Sequence, residues 1–410
     1  MRVVFPVFQN DNLPSGAVKQ TYRHVDILNS LGILACVAYQ NPDFRCTWFE
    51  NTTNVMSWND IEMTADDYLV LGETSPSVPP IAGADRSAKV VLCQNPFQSV
   101  LGFDKNLWLI RQIYKEAAAV LCPSKMAESK LRFMFPSSRV LRFQYSFDRP
   151  PWAYTDQKEK LVAVVPRDME VLINAIIAVT SLKWVPGGWS LVRIKDMAEA
   201  SVASNLRRCA VFLSLSDKTG FGMPPVEAMA CGCVVVGFSG FGGSEYMDPS
   251  ICFPVPDMDY IGLAETLINV MAKPVDALAK IGLQASDFVS REYSSEREND
   301  SVKEAWGKIT RNVIEIRTEV RERMKKEVAV YMPVYNEGPY MESLLRWLVP
   351  RVGKIFVAES AVAWNPTGKP GGESKKIVDK VLADMPQARI EYLKVDTGSN
   401  GEPQIGRAHV

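Results

Sequence analysis

Along the chain, short apolar and β-branched runs alternate with stretches whose apolar residues recur at three- and four-residue steps. The runs in the first part predict strands at Val3–Phe8, Ala35–Tyr39, Tyr68–Gly72, Lys89–Cys93, Ala119–Leu121 and Val140–Phe143. Helices fall between them. Over Val18–Leu31 the residues Val18, Tyr22, Val25, Leu28 and Leu31 make one apolar face, and Gly32 is the stop. The stretch SFDRPPWAYTD, residues 146–156, breaks the pattern with prolines and suits a linker between domains. A second series follows, with strands at Leu161–Val165, Ser190–Ile194, Val211–Leu215 and Val234–Gly237 and a short one near Cys252–Pro254. Strands alternating with helices predict parallel sheets, so the fold class is α/β, with two Rossmann-like domains facing each other across a cleft. Ligands of such sheets bind at the carboxyl ends of the strands, which directs attention to that cleft.

From 301 to 326 the pattern is helical, with Trp306, Ile309, Val313, Ile316, Val320 and Met324 on one face. The helix either packs on its own domains or forms a coiled-coil seam, and the short run favours the first. A third α/β beginning starts at Glu327. VAVYMPVYNE reads as strand then loop, GPYMESLLRWLVPRV as helix, KIFVAES as strand, Lys375–Met385 as helix and Ile390–Val395 as strand. That is too little to close a domain. The expected division is 1–147, 148–300, a helical linker 301–326, and a partial third segment 327–404.

Composition changes little in this picture. The 410 residues exceed one core, and 47% hydrophobic with 23% charged residues is ordinary for a globular protein. A formal net charge of -1 gives no basic footprint for nucleic acid. The N-terminus MRVVFPVFQND has no leader-like organisation, and no apolar run reaches the ~20 residues of a membrane helix. The eight cysteines are scattered and several sit in apolar strand patterns, so buried free thiols and a cytoplasmic location are expected. Cys231-Gly-Cys233 lacks the spacing of a redox or zinc pair. The last six residues, IGRAHV (405–410), resemble translated read-through of a sequencing adapter. They are set aside, which leaves His24 as the genuine histidine and implies that the chain was cut short.

The chemistry concentrates in AVFLSLSDKTGFGMPPVEAMACGCVVVGFSGFGG, residues 210–243. An apolar strand leads through a glycine-containing loop into a short helix that opens at Pro224-Pro225 and ends before Gly232. Proline suits a first helical turn, where its missing N–H costs nothing. The free N–H groups and positive dipole end of this helix suit a pyrophosphate. Gly220 and Gly222 let backbone approach a ligand, and Glu227 in the first turn can accept from a ribose diol. A glycine-punctuated packing turn without a ligand is the alternative.

GFGMPPVEAMACG resembles the donor-binding signature of retaining GT-B glycosyltransferases, especially glycosyltransferase family 4 and a rhamnosyltransferase-like subgroup of it. That signature holds two glutamates separated by seven residues. Glu227 matches the second, but Thr219 stands where the first belongs, and Asp217 lies two residues before it. The resemblance covers about residues 1–300 and implies a nucleoside-diphosphate sugar as donor. Thr219, Gly220, Phe221, Gly222 and Met223 would hold sugar and phosphates, Glu227 the ribose, and Arg167, after LVAVVP, the diphosphate. A second cation that the family usually carries near this arginine is missing, since Asp168 follows. In LPSGAVKQTYRHVDILNSLG the family's glycine-rich loop would place Gly16 near donor phosphates or acceptor, with Lys19 adding charge. His24 reads as structural, and Asn95 in VVLCQNPF as acceptor-side or loop-capping. NPDFRCTWFENTT, 41–53, looks like the same subgroup without assignable chemistry.

The implied activity is retaining transfer of a hexose-type sugar to a glycan, lipid or protein-linked acceptor, in polysaccharide or glycoprotein synthesis. It needs no metal, because cations and helix dipoles meet the diphosphate. Peripheral membrane contact stays open. Two rivals fit the same residues: a decayed nucleotide-sugar-binding or scaffolding module, motivated by Thr219, and a nucleotide-sugar epimerase. VAVYMPVYNEGPYMESLL further resembles the opening of a GT-A glycosyltransferase, and AESAVAWNPTGKP a family 17 type, with no DxD motif following.

Overall fold

The computed structural model describes residues 1–8, 12–73, 79–101, 107–166, 169–182, 187–215, 219–327, 329–334, 338–350, 352–360 and 373–395. It divides into two compact units, Met1–Thr310 and Arg311–Val410.

The first unit contains two parallel sheets. In chain order the first sheet region comprises β1 (Val3–Pro6), α1 (Gly16–Ser30), β2 (Ala35–Tyr39), β3 (Val55–Ser57), β4 (Tyr68–Gly72), β5 (Ala88–Leu92), α2 (Gln98–Leu101), α3 (Leu107–Glu116), β6 (Ala119–Cys122), α4 (Lys125–Met134) and β7 (Val140–Arg142). Its strands lie in the order β3-β2-β1-β4-β5-β6-β7, so the order reverses at β1 and β4. The second region comprises β8 (Glu159–Val164), α5 (Glu170–Leu182), β9 (Ser190–Arg193), α6 (Glu199–Arg208), β10 (Cys209–Ser214), α7 (Met223–Ala230), β11 (Val234–Phe238), β12 (Phe253–Val255), α8 (Tyr260–Met271) and α9 (Val275–Glu292). Its order is β12-β11-β10-β8-β9, with the reversal between β8 and β10. Two Rossmann-like α/β domains are thus present in this unit. In each, the carboxyl ends at the reversal are the natural place for a ligand.

The strands read as continuous apolar runs because both faces are covered. In the second sheet, Val162 and Val164, Val211 and Leu213, and Val234 and Val236 share one face with Ile173 and Ile176 of α5 and Leu263 and Leu267 of α8. In the first, Val91, Cys93, Val120 and Cys122 pack with Ile110 and Tyr114 of α3 and Leu131 of α4. All eight cysteines are buried free thiols, and Cys36, Cys122 and Cys209 lie within strands.

The expected strands occur with ends shifted by a few residues at most. One strand was not foreseen. Β-strand β3 is only VMS, beside a polar NTTN, and shows no period of its own; it exists because it pairs with β2 through Val37 and Val55. The long helix α10 (Ser295–Glu327) begins six residues before the expected 301. Its first turns are all polar and carry no apolar period, and the Ser294 Oγ accepts from Arg297 N at 3.3 Å.

The opening of α10 ties back to the first sheet region. Glu298, 2% exposed, forms an ion pair with Arg23 of α1 at 2.7 Å and accepts from Ser146 Oγ at 2.7 Å. Ser301 Oγ accepts from Gln144 N at 2.9 Å. Trp306 Nε1 donates to His24 Nε2 at 2.8 Å. His24 is fully buried, and burial lowers its imidazole to about 3, so it stays neutral and accepts. The histidine is structural, as its place inside α1 suggests. Residues 146–156, read as a linker, carry no helix or strand and lead from β7 into β8.

The second unit holds the remainder of α10 and, beyond it, β13 (Ala329–Val334), α11 (Gly338–Leu348), β14 (Lys354–Ser360), α12 (Glu373–Asp384) and β15 (Ile390–Val395). The three strands form a parallel sheet in the order β13-β14-β15. Met341, Leu345, Ile355, Val357, Val378 and Val381 make its core. The Asn336 and Glu337 ending of PVYNE, and 405–410, lie outside the described residues.

Removing one partner of a buried pair strands the other charge. Glu298→Ala should therefore cost about 3–5 kcal/mol of unfolding free energy, read by chemical denaturation. A loss below about 1 kcal/mol would show that the α10–α1 tie carries no weight.

Candidate functional site

The loop after β10 reaches α7 through a glycine held in the left-handed region. Gly222 has φ +83°, and a Cβ there would lie 2.7 Å from the Tyr246 hydroxyl and 3.1 Å from Thr219 Oγ1. Glycine is required on both counts. Tyr246 donates its hydroxyl to the Gly222 carbonyl at 2.6 Å and fixes the turn. No side chain caps α7, and Pro224 and Pro225, which carry no N–H, occupy its first turn, so the Met223 amide is left without a side-chain acceptor. At the other end Gly232, φ +82°, terminates the helix. Glu227 is 8% exposed on the buried side of α7.

Two of the predicted residues have protein neighbours where a ligand contact was expected. A Cβ on Gly220 would fall 2.0 Å from the Gln94 carbonyl oxygen and 2.8 Å from Asn95 Cα, and Ser124 Oγ donates to the Gly220 carbonyl at 2.8 Å. The missing side chain there makes room for the loop after β5. Phe221 is 3% exposed, with its ring among Tyr145, Phe147, Tyr246 and Tyr293. It anchors the loop in the interior. Thr219 Oγ1 is buried and has no hydrogen-bond partner among the described residues. Arg167 and Asp217 lie outside the described residues.

Facing α7 is the start of α1. Ser15 caps that helix, its Oγ accepting from Val18 N at 3.5 Å. A Cβ on Gly16 would lie 2.0 Å from Met223 Cε, the mobile end of a flexible side chain, so the starts of α1 and α7 come together here. Gln20 Nε2 lies 3.2 Å from Met223 Sδ. One turn into α1, Lys19 Nζ donates to Glu227 Oε1 at 2.9 Å and to Glu199 Oε1 of α6 at 2.7 Å. Glu227 is buried and the other two are half-buried, with 12%, 11% and 16% of the lysine, Glu227 and Glu199 side chains exposed. Burial alone would lower the Lys19 ammonium, but the carboxylates of Glu227 and Glu199 outweigh it and hold it above the ordinary lysine value. The ammonium is charged at any physiological pH. The Trp152 ring lies under it, 5.1 Å from Nζ to the centroid.

A cavity of about 150 Å³ opens beside this cluster. Val165, Ile194, Met197, Val202 and Phe212 give it an apolar wall from the second sheet region, and Gly16, Lys19 and Trp48 close it from the first. The 41–53 stretch thereby acquires a role, for Glu199 N donates to the Trp48 carbonyl at 3.1 Å and joins that loop to the start of α6. An apolar wall with a few convergent polar groups suits a flat heterocycle attached to a polyol.

The sequence reading names Lys19 only as extra charge and does not single out Glu199, Trp48 or Trp152. None of these carries a local signal, because their meeting depends on elements far apart in the chain. Glu73 is a further residue it missed. It follows β4 at the reversal of the first sheet, is 8% exposed, and accepts from Asn95 N at 3.0 Å. Burial raises its carboxyl to about 7, with backbone donors only partly compensating. A carboxyl raised in the folded state favours folding below its unfolded value and withdraws that help as pH climbs through about 7. The isosteric Glu73→Gln should therefore gain on wild type by on the order of 2 kcal/mol between pH 5 and pH 8. Urea denaturation at both pH values checks this, and a pH-independent difference would contradict the buried carboxyl.

Among the described residues no helix is long and apolar enough to cross a membrane. Residues 194–285, which hold α6, α7 and Glu227, match the family model "Glycosyl transferases group 1". An α-1,6-glucosyltransferase from Actinobacillus pleuropneumoniae serotype 7 is 28% identical over 113 residues, which are 27% of this chain and 30% of that relative. The match thus spans under a third of the curated relative's length. Among solved structures, a TarM mutant from S. aureus, determined with fondaparinux, α-GlcNAc-glycerol and UDP, aligns at TM-score 0.59 and 10% identity over 75% of this chain and 99% of that one. HepE from Anabaena, determined with UDP-glucose, aligns at TM-score 0.58 and 16% identity over 75% and 99%. Sucrose-phosphate synthase from Thermosynechococcus elongatus aligns at TM-score 0.55 and 11% identity over 78% and 98%. The chain has the GT-B fold of these structures, and its residues 194–285 are similar to the glycosyl transferases group 1 family.

Proposed function

We propose that this chain transfers a sugar from a nucleoside-diphosphate sugar to an acceptor. The observation that carries the reading is the place of Glu227: on the second turn of a helix without a side-chain cap, beyond the reversal of the second sheet, beside an apolar-walled cavity. A nucleoside diphosphate matches each part. The base fits the Val165–Ile194–Phe212 wall, the ribose diol donates to Glu227, and the diphosphate meets the positive end of α7, where Met223 keeps its N–H. Arg167, which follows the strand next to β10 in the sheet, supplies a guanidinium for the leaving diphosphate. Thr219 stays near the turn at Gly222 and offers a hydroxyl to the transferred sugar. Met223 and Gly16 bound the same space from opposite sides.

The acceptor, a glycan-type molecule, enters from the side of the first sheet region, residues 1–147, while 148–300 binds the donor. Departure of the diphosphate builds negative charge, and the cations and helix end stabilise it there. Front-face attack lets the leaving phosphate take the acceptor's proton, and the configuration at the anomeric carbon is retained. That route asks for no protein base.

Sugar transfer should appear when the protein is supplied with a panel of nucleotide sugars and saccharide acceptors, and the donor should raise the melting temperature. Glu227→Ala should lower kcat/KM for the donor about 10- to 100-fold by removing a charged acceptor from the ribose. Wild-type donor kinetics in that variant would exclude this placement of the nucleotide.

A further inference from the structure

We propose that Lys19 of the first sheet region is a donor-site cation that contacts the diphosphate, with Glu199 as the residue that positions it. This rests on the nucleotide-sugar reading above and adds a ligand contact from the opposite side of the cleft.

Three observations lead to it. The first is hydrogen-bond supply. An ammonium has three donors, and Lys19 gives one to Glu199 and one to Glu227. The third has no hydrogen-bond partner among the described residues; the Trp152 ring lies 5.1 Å from Nζ to its centroid and can be exchanged for a stronger acceptor. The second is position. Lys19 lies one helical turn after Gly16, and Gly16 lies against Met223, the first residue of α7. An anion on the amide end of α7 is therefore within the reach of a lysine stem rooted at residue 19. The third is charge balance. Glu199 and Glu227 bring two carboxylates to one ammonium, so the cluster by itself repels a diphosphate.

A bound ribose is neutral and leaves that net charge unchanged, but it frees the donors of Lys19. Its hydroxyls donate to Glu227 and take over the acceptor capacity that Lys19 now uses. Lys19 keeps its 2.7 Å bond to Glu199 as a pivot and turns its freed donors to the phosphate oxygens. Glu199 then acts through Lys19, and the diphosphate is clasped by a helix end on one side and a cation from the other. No bond is made or broken in this step. Because Lys19 and Glu227 come from different sheet regions, the diphosphate reports on the closed cleft, whereas the nucleoside alone reads mainly the apolar wall.

Calorimetric titration with UDP, GDP and ADP, each alongside its nucleoside, separates the possibilities. Wild type should bind one of the diphosphates, and Lys19→Gln should weaken it about 10- to 100-fold while changing the matching nucleoside by about twofold at most. Lys19→Arg should recover most of the loss, since it keeps the charge. The double variant Lys19→Gln/Glu199→Gln returns the cluster to its wild-type net charge, and it should fold as wild type does yet remain weak for the diphosphate. Equal loss for nucleoside and diphosphate, no loss for either, or recovery in the double variant would each overturn the assignment by making Lys19 a structural counter-ion. If wild type binds none of the three diphosphates, the nucleotide-sugar reading itself fails, and this proposal with it.

Discussion

The ammonium of Lys19, held between Glu199 and Glu227, is the interaction on which the cleft depends. Each of the three charges would be expensive to bury alone. Together, at 2.7 and 2.9 Å, they form a cluster that only exists while α1 stands against α6 and α7. The close approach of Gly16 to Met223 and of Gly220 to Gln94 belongs to the same contact. At Gly220 a larger residue would run into the backbone of Gln94 and Asn95, whereas at Gly16 the Met223 side chain can give way, so Gly220 serves the fit between the two sheet regions as well as the loop itself.

A second tie comes from α10. Its polar first turns cross back to the first sheet region, where Glu298 meets Arg23 and Ser146, and Trp306 covers His24. Arg23 and Lys19 are four residues apart on α1, one turn of the helix. One helix therefore receives the return strap on Arg23 and presents the cation to the cleft on Lys19. The strap and the site share an element, which links stability of the first unit to the geometry of the site.

The elements were largely legible because parallel strands covered on both faces must be continuous apolar runs, and amphipathic helices must show their period. Most of the second-region strands were read from LVAVV, SLVRI, VFLSL and VVVG alone. The exceptions have a common cause. The strand Val55–Ser57 and the first turns of α10 draw their order from partners, not from a pattern of their own. The site was legible in the same uneven way. TGFGMPPVE announced a turn, a helix start and an acid, because left-handed glycine, proline in the first turn and a terminal glycine are local demands of backbone chemistry.

By itself, then, the sequence determined the α/β class, the two sheet regions and the turn at Gly222, while it set Glu227 one turn too early in α7, which begins at Met223. Tertiary structure decided what surrounds them: Phe221 turned into an aromatic cluster, Gly220 against a neighbouring backbone, and Lys19, Glu199, Trp48 and Trp152 gathered at one cavity. The physical reason is range. Backbone geometry and burial period are set within a few residues, whereas an ion cluster needs side chains from 19, 199 and 227 to lose their water together, and only the packed chain brings them there.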